Sequence, residues 1–375
     1  MKNYYMNRRI KILCVVGARP NFIKIAPLFE EFKRYKTIKP ILVHTGQHYD
    51  FETSQVFFQE LKIPKPDYNL EVGSGTHAWQ TAKIMEKLEL VILKEKPDLV
   101  IVVGDVNSTL AGALTAIKLN IPVAHIEAGL RSFDMSMPEE INRLLTDHIS
   151  DYLFVTESSG VRNLLNENIS KKKIYFVGNI MIDTLVKLQT QIQKSKILEK
   201  LNLKKKAYAV LTLHRPENVD KEERFLEILA ALKEIQKIIK IVWPIHPRTK
   251  KQIKEFKFDK FIKGLKNLIL IKPLGYIEMI NLMENSKFVI TDSGGIQEET
   301  TFLKVLCLTF RKNTERPVTV EIGTNTLCTT GKMLVREANN ILKEKSKKGC
   351  IPKYWDGKSA TRIVNILFRE IKLYD

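Results

Sequence analysis

Residues 288–300, FVITDSGGIQEET, join an apolar strand-like run to a polar turn and then to a helical pattern. Ser293, Gly294 and Gly295 stand at the predicted start of the helix, where backbone N–H groups have no partner within the helix. Glycine lets the main chain approach a ligand closely, and helix N-termini attract phosphate. The segment therefore predicts a phosphate or diphosphate site, with a plain glycine turn as the alternative.

Charged residues accompany this segment. Glu298 and Glu299 fall in the first turns of the same helix, and one of them could accept hydrogen bonds from sugar hydroxyls just past the phosphates. Arg316, in RKNTERP, adds a cation downstream. A sugar linked through a diphosphate is the type of ligand that these residues favour.

Two other strand-like runs of the second half end in histidine and arginine. LHRPEN places His214 and Arg215 at one strand end, and PIHPR places His246 and Arg248 at another. A single histidine of this kind is by default a buried residue with satisfied hydrogen bonds. Two such pairs at two strand ends indicate a site.

In the first half, acidic residues follow apolar runs. Asp105 follows PDLVIVVG, where it could cap the next helix. Glu127 follows IPVAHI, and capping explains it poorly because caps prefer Asp, Asn, Ser or Thr. In MPEEINR, Glu139 and Arg143 are four residues apart and can face one side of a helix, although an ordinary helix ion pair has the same spacing. Carboxylates at strand ends predict acid–base chemistry, provided that their pKa values are set apart.

The first apolar run ends in GARPNFIK, where Arg19 and Lys24 flank a helix start that favours anions. A capping turn with surface charges is the alternative. The stretch lacks G-x-G-x-x-G, so no nicotinamide cofactor is indicated. No spacing of His, Cys, Asp or Glu predicts a metal.

These residues need elements that bring strand ends together. Apolar strand-like runs alternate with helical patterns, which predicts parallel sheets covered on both faces. The predicted strands are 9–17, 40–46, 97–105, 121–129 and 151–156, then 206–214, 239–246, 267–273, 287–292 and 305–310. Helical patterns include 21–35, 76–94, 108–120, 138–149, 181–203 and 359–373. We predict an α/β protein of two doubly wound domains, with ligands beyond the carboxyl ends of the strands.

Composition narrows the class of protein. The 375 residues fit two domains, and no apolar run reaches the roughly 18 residues of a membrane helix. Sixty-one Lys and Arg give a net charge of +19, but the lysines are spread over helix-like surfaces without a nucleic-acid motif, so we expect no nucleic-acid partner. No signal peptide is indicated, and we expect a cytoplasmic protein with four reduced cysteines.

The motifs, taken in order, resemble one family closely. GARPNFIK, HTGQHYD, GDVNSTLAG, HIEAGLRS, MPEEINR, LHRPEN, PIHPR, TDSGGIQEE and TERP are similar to the motifs of the non-hydrolysing UDP-N-acetylglucosamine 2-epimerases, from about Ile10 to the C-terminus. The resemblance implies a GT-B fold of two Rossmann-like domains, 1–182 and 183–358, with the active site in the interdomain cleft. It also implies a final helix, within 359–375, that crosses back to the first domain, a homodimer, and no metal or nicotinamide cofactor.

The resemblance also implies roles, motif by motif. The implied catalytic residues are Asp105, Glu127, Glu139 and His214, without a decision on which carboxylate is base and which is acid. The implied UDP-sugar-binding residues are Arg19, Lys24, Arg143, Ser293, Gly294, Gly295, Glu299 and Arg316. A possible site for a second, activating UDP-sugar involves Gln47, His48 and His246.

The implied activity is that of an isomerase which inverts C2 of UDP-N-acetylglucosamine to give UDP-N-acetylmannosamine. UDP leaves by anti elimination, and it adds back through a 2-acetamidoglucal intermediate. Such enzymes supply precursors of surface polysaccharides. The alternatives are a C2 epimerase of UDP-2,3-diacetamido-2,3-dideoxy-glucuronate, which several of the motifs also resemble, and a GT-B glycosyltransferase.

Overall fold

The computed structural model describes residues 9–46, 60–61 and 63–372, without the side chains of Arg19, Ile371 and Lys372. Gln47 and His48 therefore lie outside the described residues. The chain divides into two compact units, Met1–Lys187 with Lys353–Asp375, and Leu188–Pro352. Within the described ranges, no helix is both long and apolar enough to cross a lipid bilayer.

The first unit contains a parallel sheet of seven strands in the order β3-β2-β1-β4-β5-β6-β7. The strands are β1 (Ile10–Val16), β2 (Ile38–His44), β3 (Tyr68–Asn69), β4 (Leu99–Val103), β5 (Val123–Ala128), β6 (Tyr152–Val155) and β7 (Ile174–Phe176). The helices are α1 (Arg19–Phe32), α2 (His77–Glu95), α3 (Asn107–Lys118), α4 (Pro138–Ile149), α5 (Ser158–Asn166), α6 (Ile180–Gln193), which runs into the second unit, and α16 (Ser359–Lys372).

The central strands are buried, β4 and β5 along their whole length and β1 from Ile12 onward. Leu13 and Cys14 are neighbours in β1 that point to opposite faces of the sheet, and neither is exposed to solvent. A sheet covered by helices on both faces requires such uninterrupted apolar strands. The alternation of apolar runs with helical patterns was therefore sufficient to predict the long strands of this sheet, although not the short edge strands β3 and β7.

The second unit contains a parallel sheet of six strands in the order β10-β9-β8-β11-β12-β13. The strands are β8 (Tyr208–Thr212), β9 (Lys240–Pro244), β10 (Leu268–Ile271), β11 (Phe288–Thr291), β12 (Leu306–Thr309) and β13 (Asn325–Leu327). The helices are α7 (Ile197–Lys200), α8 (Pro216–Val219), α9 (Glu222–Ile235), α10 (Pro247–Glu255), α11 (Asp259–Lys263), α12 (Tyr276–Glu284), α13 (Gly294–Phe302), α14 (Pro317–Glu321) and α15 (Gly331–Leu342).

The predicted helix 181–203 was wrong in its length. Helix α6 ends at Gln193, and the chain becomes helical again only at Ile197. Ser195 lies in the gap, and its Oγ accepts a hydrogen bond from the backbone N–H of Ile197 at 3.4 Å. A serine side chain that binds the backbone in this way competes with helical hydrogen bonds.

Helix α16 is held in the first unit at its N-terminus and at its middle. Near its N-terminus, the carboxylate of Asp183 in α6 accepts hydrogen bonds from the backbone N–H groups of Ser359 and Ala360, at 3.1 and 2.7 Å. In the middle of the helix, Asn365 accepts a 2.6 Å hydrogen bond from the hydroxyl of Tyr35, which follows α1. Helices α1 and α16 consequently pack together.

Substituting Asp183 by Asn should make the stability of the protein less dependent on pH. Burial raises the pKa of Asp183 to about 6, from 3.8, against the opposing effect of its two backbone hydrogen bonds. The folded state then binds more protons than the unfolded state between these values, so the stabilisation is complete below about pH 4 and is lost as the pH rises through 6, by roughly 3 kcal/mol. We expect the Tm of Asp183→Asn to rise relative to that of the wild type over this interval. A difference in Tm that is the same at every pH would contradict the raised pKa.

Candidate active site

Each sheet has one topological switch point. In the first unit, the order of strands reverses direction between β1 and β4, and in the second between β8 and β11. Ligands of doubly wound proteins bind beyond the carboxyl ends of the strands at such points. The segments GARPNFIK and GDVNST follow β1 and β4, while LHRPEN and TDSGG lie at the ends of β8 and β11. The sequence-predicted motifs of each unit therefore collect at its own switch point.

Asn21 ties together the two strand ends at the first switch point. Its Oδ1 accepts hydrogen bonds from the backbone N–H groups of Gly17 and Ala18, at 3.1 and 3.0 Å. Its Nδ2 donates to the carbonyl oxygen of Val103 at 2.8 Å. Arg19 follows as the first residue of α1, and its side chain lies outside the described residues.

Glu127 has the backbone conformation that most favours a functional role. Its φ is +76°, which is rare for a residue other than glycine, and it lies where the register between β5 and β6 shifts between Ile126 and Ala128. A residue held in the left-handed region costs of order 1–3 kcal/mol, and such residues cluster at functional sites. The carboxylate of Glu127 forms an ion pair with Lys24 of α1, and both residues are only 4% exposed. Two predicted residues are thus brought into contact.

Asp105 and Arg143 are also brought together. The Nη1 of Arg143 lies 2.5 Å from Oδ2 of Asp105, which is about a quarter exposed. The other side of the guanidinium binds Glu140, with Nη2 2.6 Å from Oε2. Glu140 is buried and accepts hydrogen bonds from the backbone N–H groups of the loop before α4, at Ser132 and Phe133.

The ion pair within MPEEINR is formed by Glu140 and Arg143. Arg143 pairs with Glu140, three residues before it, and Glu139 is exposed at the start of α4. Both spacings, three and four residues, place side chains on one face of a helix, so the sequence could not choose between them. Glu140 turns inward because its carboxylate accepts hydrogen bonds from the backbone N–H groups of the loop before α4.

Sequence reasoning missed a buried histidine next to these groups. The Nε2 of His125 lies 2.8 Å from the carbonyl oxygen of Gly104, and its Nδ1 lies 2.7 Å from Oδ1 of Asp147 in α4. Oδ2 of Asp147 accepts from the backbone N–H of Gly129 at 3.0 Å and from Nη1 of Arg131 at 2.7 Å. The letters of HIEAGLR and LTDHI contain these residues, but nothing local in the sequence distinguishes them from core positions.

Asp292 is the centre of the second switch point. It is fully buried, and its carboxylate accepts hydrogen bonds from the backbone N–H groups of His214 and Arg215, at 3.0 and 2.9 Å, and from Nδ2 of Asn218 at 3.2 Å. Nδ1 of His214 lies 2.9 Å from Oδ1 of Asp292. Burial raises the pKa of Asp292, but these donors outweigh burial and hold the pKa below its usual value. The side chain of His214 is 41% exposed, so its other ring nitrogen can reach a ligand.

Arg316 lies against the start of α13. Its guanidinium forms ion pairs with Glu315 and with Glu298, the latter at 2.9 Å. A Cβ atom on Gly294 would lie 2.5 Å from Nη1 of Arg316, so a residue with a side chain there would displace the arginine. The glycine at this position therefore permits the close approach of a cation to the helix N-terminus, where both favour an anion.

One of the three predicted amides already has a partner. The backbone N–H of Ser293 donates to Oγ1 of Thr291 at 3.0 Å, so this amide has an acceptor within the protein, and its role towards a ligand stays a prediction. Gly294 and Gly295 are the first two residues of α13. Amides at these positions have no intrahelical acceptor.

The two glutamates of α13 have different surroundings. Glu298 is fully buried and pairs with Arg316. Glu299 is 5% exposed and lies beside Tyr276 of α12, whose pKa is raised by burial and by the charge and hydrogen bond of Glu299. Exposed His246 stands before α10, with its ring centroid 5.5 Å from that of His214. His246 thus belongs to the surroundings of His214 in the second unit.

The four cysteines are free thiols, and three of them are buried. Cys14, Cys307 and Cys328 are buried and free, and burial raises the pKa of Cys307 to about 11. In the part of the chain that the structure describes, no group of three His, Cys, Asp or Glu side chains is placed to hold a metal ion.

Two doubly wound parallel sheets with charged groups at their switch points place the protein in the GT-B-like class, as predicted. The family model described as UDP-N-acetylglucosamine 2-epimerase matches residues 30–368. The chain belongs to this family, and the predicted family is confirmed.

Three similar proteins span almost the whole chain. A Methanococcus maripaludis protein named UDP-N-acetylglucosamine 2-epimerase homolog is 48% identical over 361 residues, which cover 96% of this chain and 99% of that protein. The crystal structure of Methanocaldococcus jannaschii UDP-GlcNAc 2-epimerase in complex with UDP-GlcNAc and UDP is 46% identical, with a TM-score of 0.90 and coverage of 96% and 100%. The UDP-2,3-diacetamido-2,3-dideoxy-D-glucuronate 2-epimerase of Pseudomonas aeruginosa is 42% identical over 360 residues, with coverage of 96% and 99%.

Proposed function

We propose that the protein is a non-hydrolysing UDP-N-acetylglucosamine 2-epimerase that interconverts UDP-N-acetylglucosamine and UDP-N-acetylmannosamine. The observation that carries the proposal is the pair of carboxylates at the first switch point, Glu127 with Lys24 and Asp105 with Arg143. This arrangement occurs in a chain 46% identical to an epimerase crystallised with UDP-GlcNAc and UDP. We also propose that the product enters the synthesis of surface polysaccharides.

The reaction needs groups that can accept and return one proton. A carboxylate removes the proton from C2 while the bond between C1 and the diphosphate oxygen breaks, and UDP leaves with the electron pair. The sugar becomes 2-acetamidoglucal. A carboxylic acid then delivers a proton to the opposite face of C2, and UDP adds again to C1, so protons and charges balance over the cycle.

The first unit would supply these proton-transfer groups. Glu127 pairs with Lys24 and Asp105 pairs with Arg143, so each carboxylate is held in place by a cation beside the first switch point. Lys24 and Arg143 would share their positive charge between these carboxylates and the diphosphate. Glu139 remains a third candidate through its motif, at an exposed position at the start of α4.

The second unit would supply the groups that hold UDP. His214, oriented by Asp292, assists the departing diphosphate through the ring nitrogen that does not face Asp292. Arg316, with the amides of Gly294 and Gly295, binds the diphosphate, and Glu299 binds the ribose. His246 stays a candidate for an activating second UDP-sugar, together with Gln47 and His48.

A second candidate substrate, UDP-2,3-diacetamido-2,3-dideoxy-D-glucuronate, is supported by one of the relatives. The relative from Pseudomonas aeruginosa acts, by its name, on UDP-2,3-diacetamido-2,3-dideoxy-D-glucuronate and is 42% identical over nearly its whole length. Both sugars carry an acetamido group at C2, so the proton chemistry would be the same. The glycosyltransferase alternative differs because it requires an acceptor.

The test is to incubate the full-length protein with each UDP-sugar alone in heavy water. We expect UDP-N-acetylmannosamine to form from UDP-N-acetylglucosamine, with deuterium at C2 in both sugars as the reaction approaches equilibrium. Nuclear magnetic resonance reads the epimer ratio and the deuterium content together. Turnover of the diacetamido sugar alone would replace the proposed substrate, and release of free N-acetylmannosamine with UDP would indicate a hydrolysing enzyme. Absence of C2 exchange with either sugar would reject the epimerase.

We propose in addition that the protein is a homodimer. Helix α3 contacts both α2 and α4, and these two helices expose large apolar side chains. They are Leu90 (68%), Leu93 (53%), Ile141 (40%) and Leu145 (47%). Exposed apolar groups that collect on one surface mark interaction sites. Light scattering by the full-length protein measures its mass, and a monomer would contradict the proposal.

A further inference from the structure

His125 lies completely buried between two oxygen acceptors. Its Nε2 is 2.8 Å from the carbonyl oxygen of Gly104, and its Nδ1 is 2.7 Å from Oδ1 of Asp147. A carbonyl oxygen can only accept a hydrogen bond, so Nε2 carries a proton. The state of Nδ1 therefore depends on whether Asp147 is ionised.

Asp147 has the surroundings of an ionised carboxylate. Its Oδ2 accepts from the backbone N–H of Gly129 at 3.0 Å and from Nη1 of Arg131 at 2.7 Å. Arg131 in turn pairs with Glu167, and Glu167 lies 3.9 Å from Nδ1 of the half-exposed His148. Burial raises the pKa of Asp147, but the charges and hydrogen bonds of His125 and Arg131 outweigh burial and place it below its usual value. An ionised Asp147 only accepts, so both nitrogens of His125 carry protons and the ring is an imidazolium.

This buried ion pair holds the backbone beside both candidate carboxylates. Gly104, whose carbonyl oxygen binds His125, precedes Asp105 and has a φ of +72°. Gly129, whose amide binds Asp147, follows Glu127 by two residues and has a φ of +79°. Glu127 itself has a φ of +76°. Gly104 and Gly129 are thus fixed in the left-handed region by hydrogen bonds to His125 and Asp147. Glu127 lies in the chain between His125 and Gly129, which are both held by this pair.

Resting on the proposed function, we propose that His125 is a positioning residue of the epimerisation site that donates a hydrogen bond from each ring nitrogen. Together with Asp147, it fixes the strand ends that carry Asp105 and Glu127, and it touches no substrate. Charge is essential to this role, because a neutral ring would bind only one of its two acceptors. The pair acts on proton transfer through the placement of the two carboxylates, and a displacement of about 1 Å costs about 100-fold in rate.

The charge of His125 can be measured in the unmodified protein. Spectra of ¹⁵N-labelled histidine should show a proton on both ring nitrogens of His125 at neutral pH, because both nitrogens face oxygen acceptors. In Asp147→Asn, where the side chain no longer carries a charge, Nδ1 should lose its proton. A wild-type His125 with an unprotonated Nδ1 would overturn the proposal, whatever the enzyme does with UDP-sugars.

The positioning role is tested with His125→Gln, which keeps a donor for Gly104 but carries no charge. We expect kcat to fall about 100-fold with an unchanged Kd for UDP, because no UDP-binding group is altered. We also expect the ratio of C2 deuterium exchange to inversion to change, because the two carboxylates are displaced unequally. A merely structural role would lower exchange and inversion in the same proportion, and that result would overturn the proposal.

His148→Gln is the matched control, since His148 lies on α4 one residue after Asp147 with a half-exposed side chain. It should leave kcat and the exchange ratio as in the wild type. The two proposals fail separately. A wild type that turns over no UDP-sugar rejects the epimerase, while the nitrogen spectra still decide the charge of His125.

Discussion

Glu127→Gln should lower kcat for epimerisation by about 10²- to 10⁴-fold, the usual contribution of a general acid or base. The amide has nearly the shape of the carboxylate, so it can stay on the bulge in β5, but it cannot accept a proton from C2. Binding of UDP should not weaken, because the proposed UDP-binding residues of the second unit are unaltered and Lys24 keeps its positive charge. Kinetics in heavy water and calorimetric titration with UDP give the two quantities.

Loss of a buried charge is itself a possible cause of inactivity, because Lys24 would keep its charge without Glu127. Glu31→Gln controls for this. Glu31 lies on the same helix as Lys24, is 7% exposed and pairs with Arg34. We expect this variant to retain wild-type kcat. If Glu127→Gln keeps full activity, or if both variants lose activity equally, Glu127 is not the acid or base of the reaction.

Asp292→Asn should also lower kcat by about 10²- to 10⁴-fold, for a different reason. Asp292 accepts from Nδ1 of His214 and from two backbone amides. Asparagine carries an NH₂ group in place of one carboxylate oxygen, and this donor would face the N–H donors that surround Asp292. His214 would therefore lose the acceptor that fixes its orientation and its tautomer. Replacing the aspartate of a serine-protease triad by asparagine has an effect of about 10⁴ for this reason.

Protonation of Asp292 should not limit the activity of the wild type at neutral pH. The carboxylate of Asp292 stays ionised in the neutral range because its pKa is held below the usual value. The wild type should therefore show no loss of activity from protonation of Asp292 near neutral pH. Asn218→Ala is the control, because it removes one donor to Asp292 and leaves the contact with His214. Equal losses of kcat in the two variants would show that Asp292 acts only on the local fold.

The short edge strands could not be predicted from the sequence. The predicted strands match the long central ones, such as β4, which is apolar throughout, and β1, which is apolar apart from Lys11, because both faces of the sheet are covered. Strands β3, β7 and β13 have two or three residues each and were not predicted. Two or three residues are too few to show the alternating or continuous apolar pattern of a strand. They become strands only because a neighbouring strand offers hydrogen bonds.

The sequence by itself determined the class of the protein, its family, and the strand ends at which charged groups stand, because these depend on patterns within about ten neighbouring residues. Only the tertiary structure decided which charges meet. Lys24 pairs with Glu127, Arg143 pairs with both Glu140 and Asp105, and His125 forms a hydrogen bond with Asp147. The members of most of these pairs are far apart in the chain, and their contact follows from the order of the strands in the sheet. Ion pairs and buried hydrogen bonds act over a few ångströms, so the packing of the strands, which a one-dimensional pattern does not contain, had to be known first.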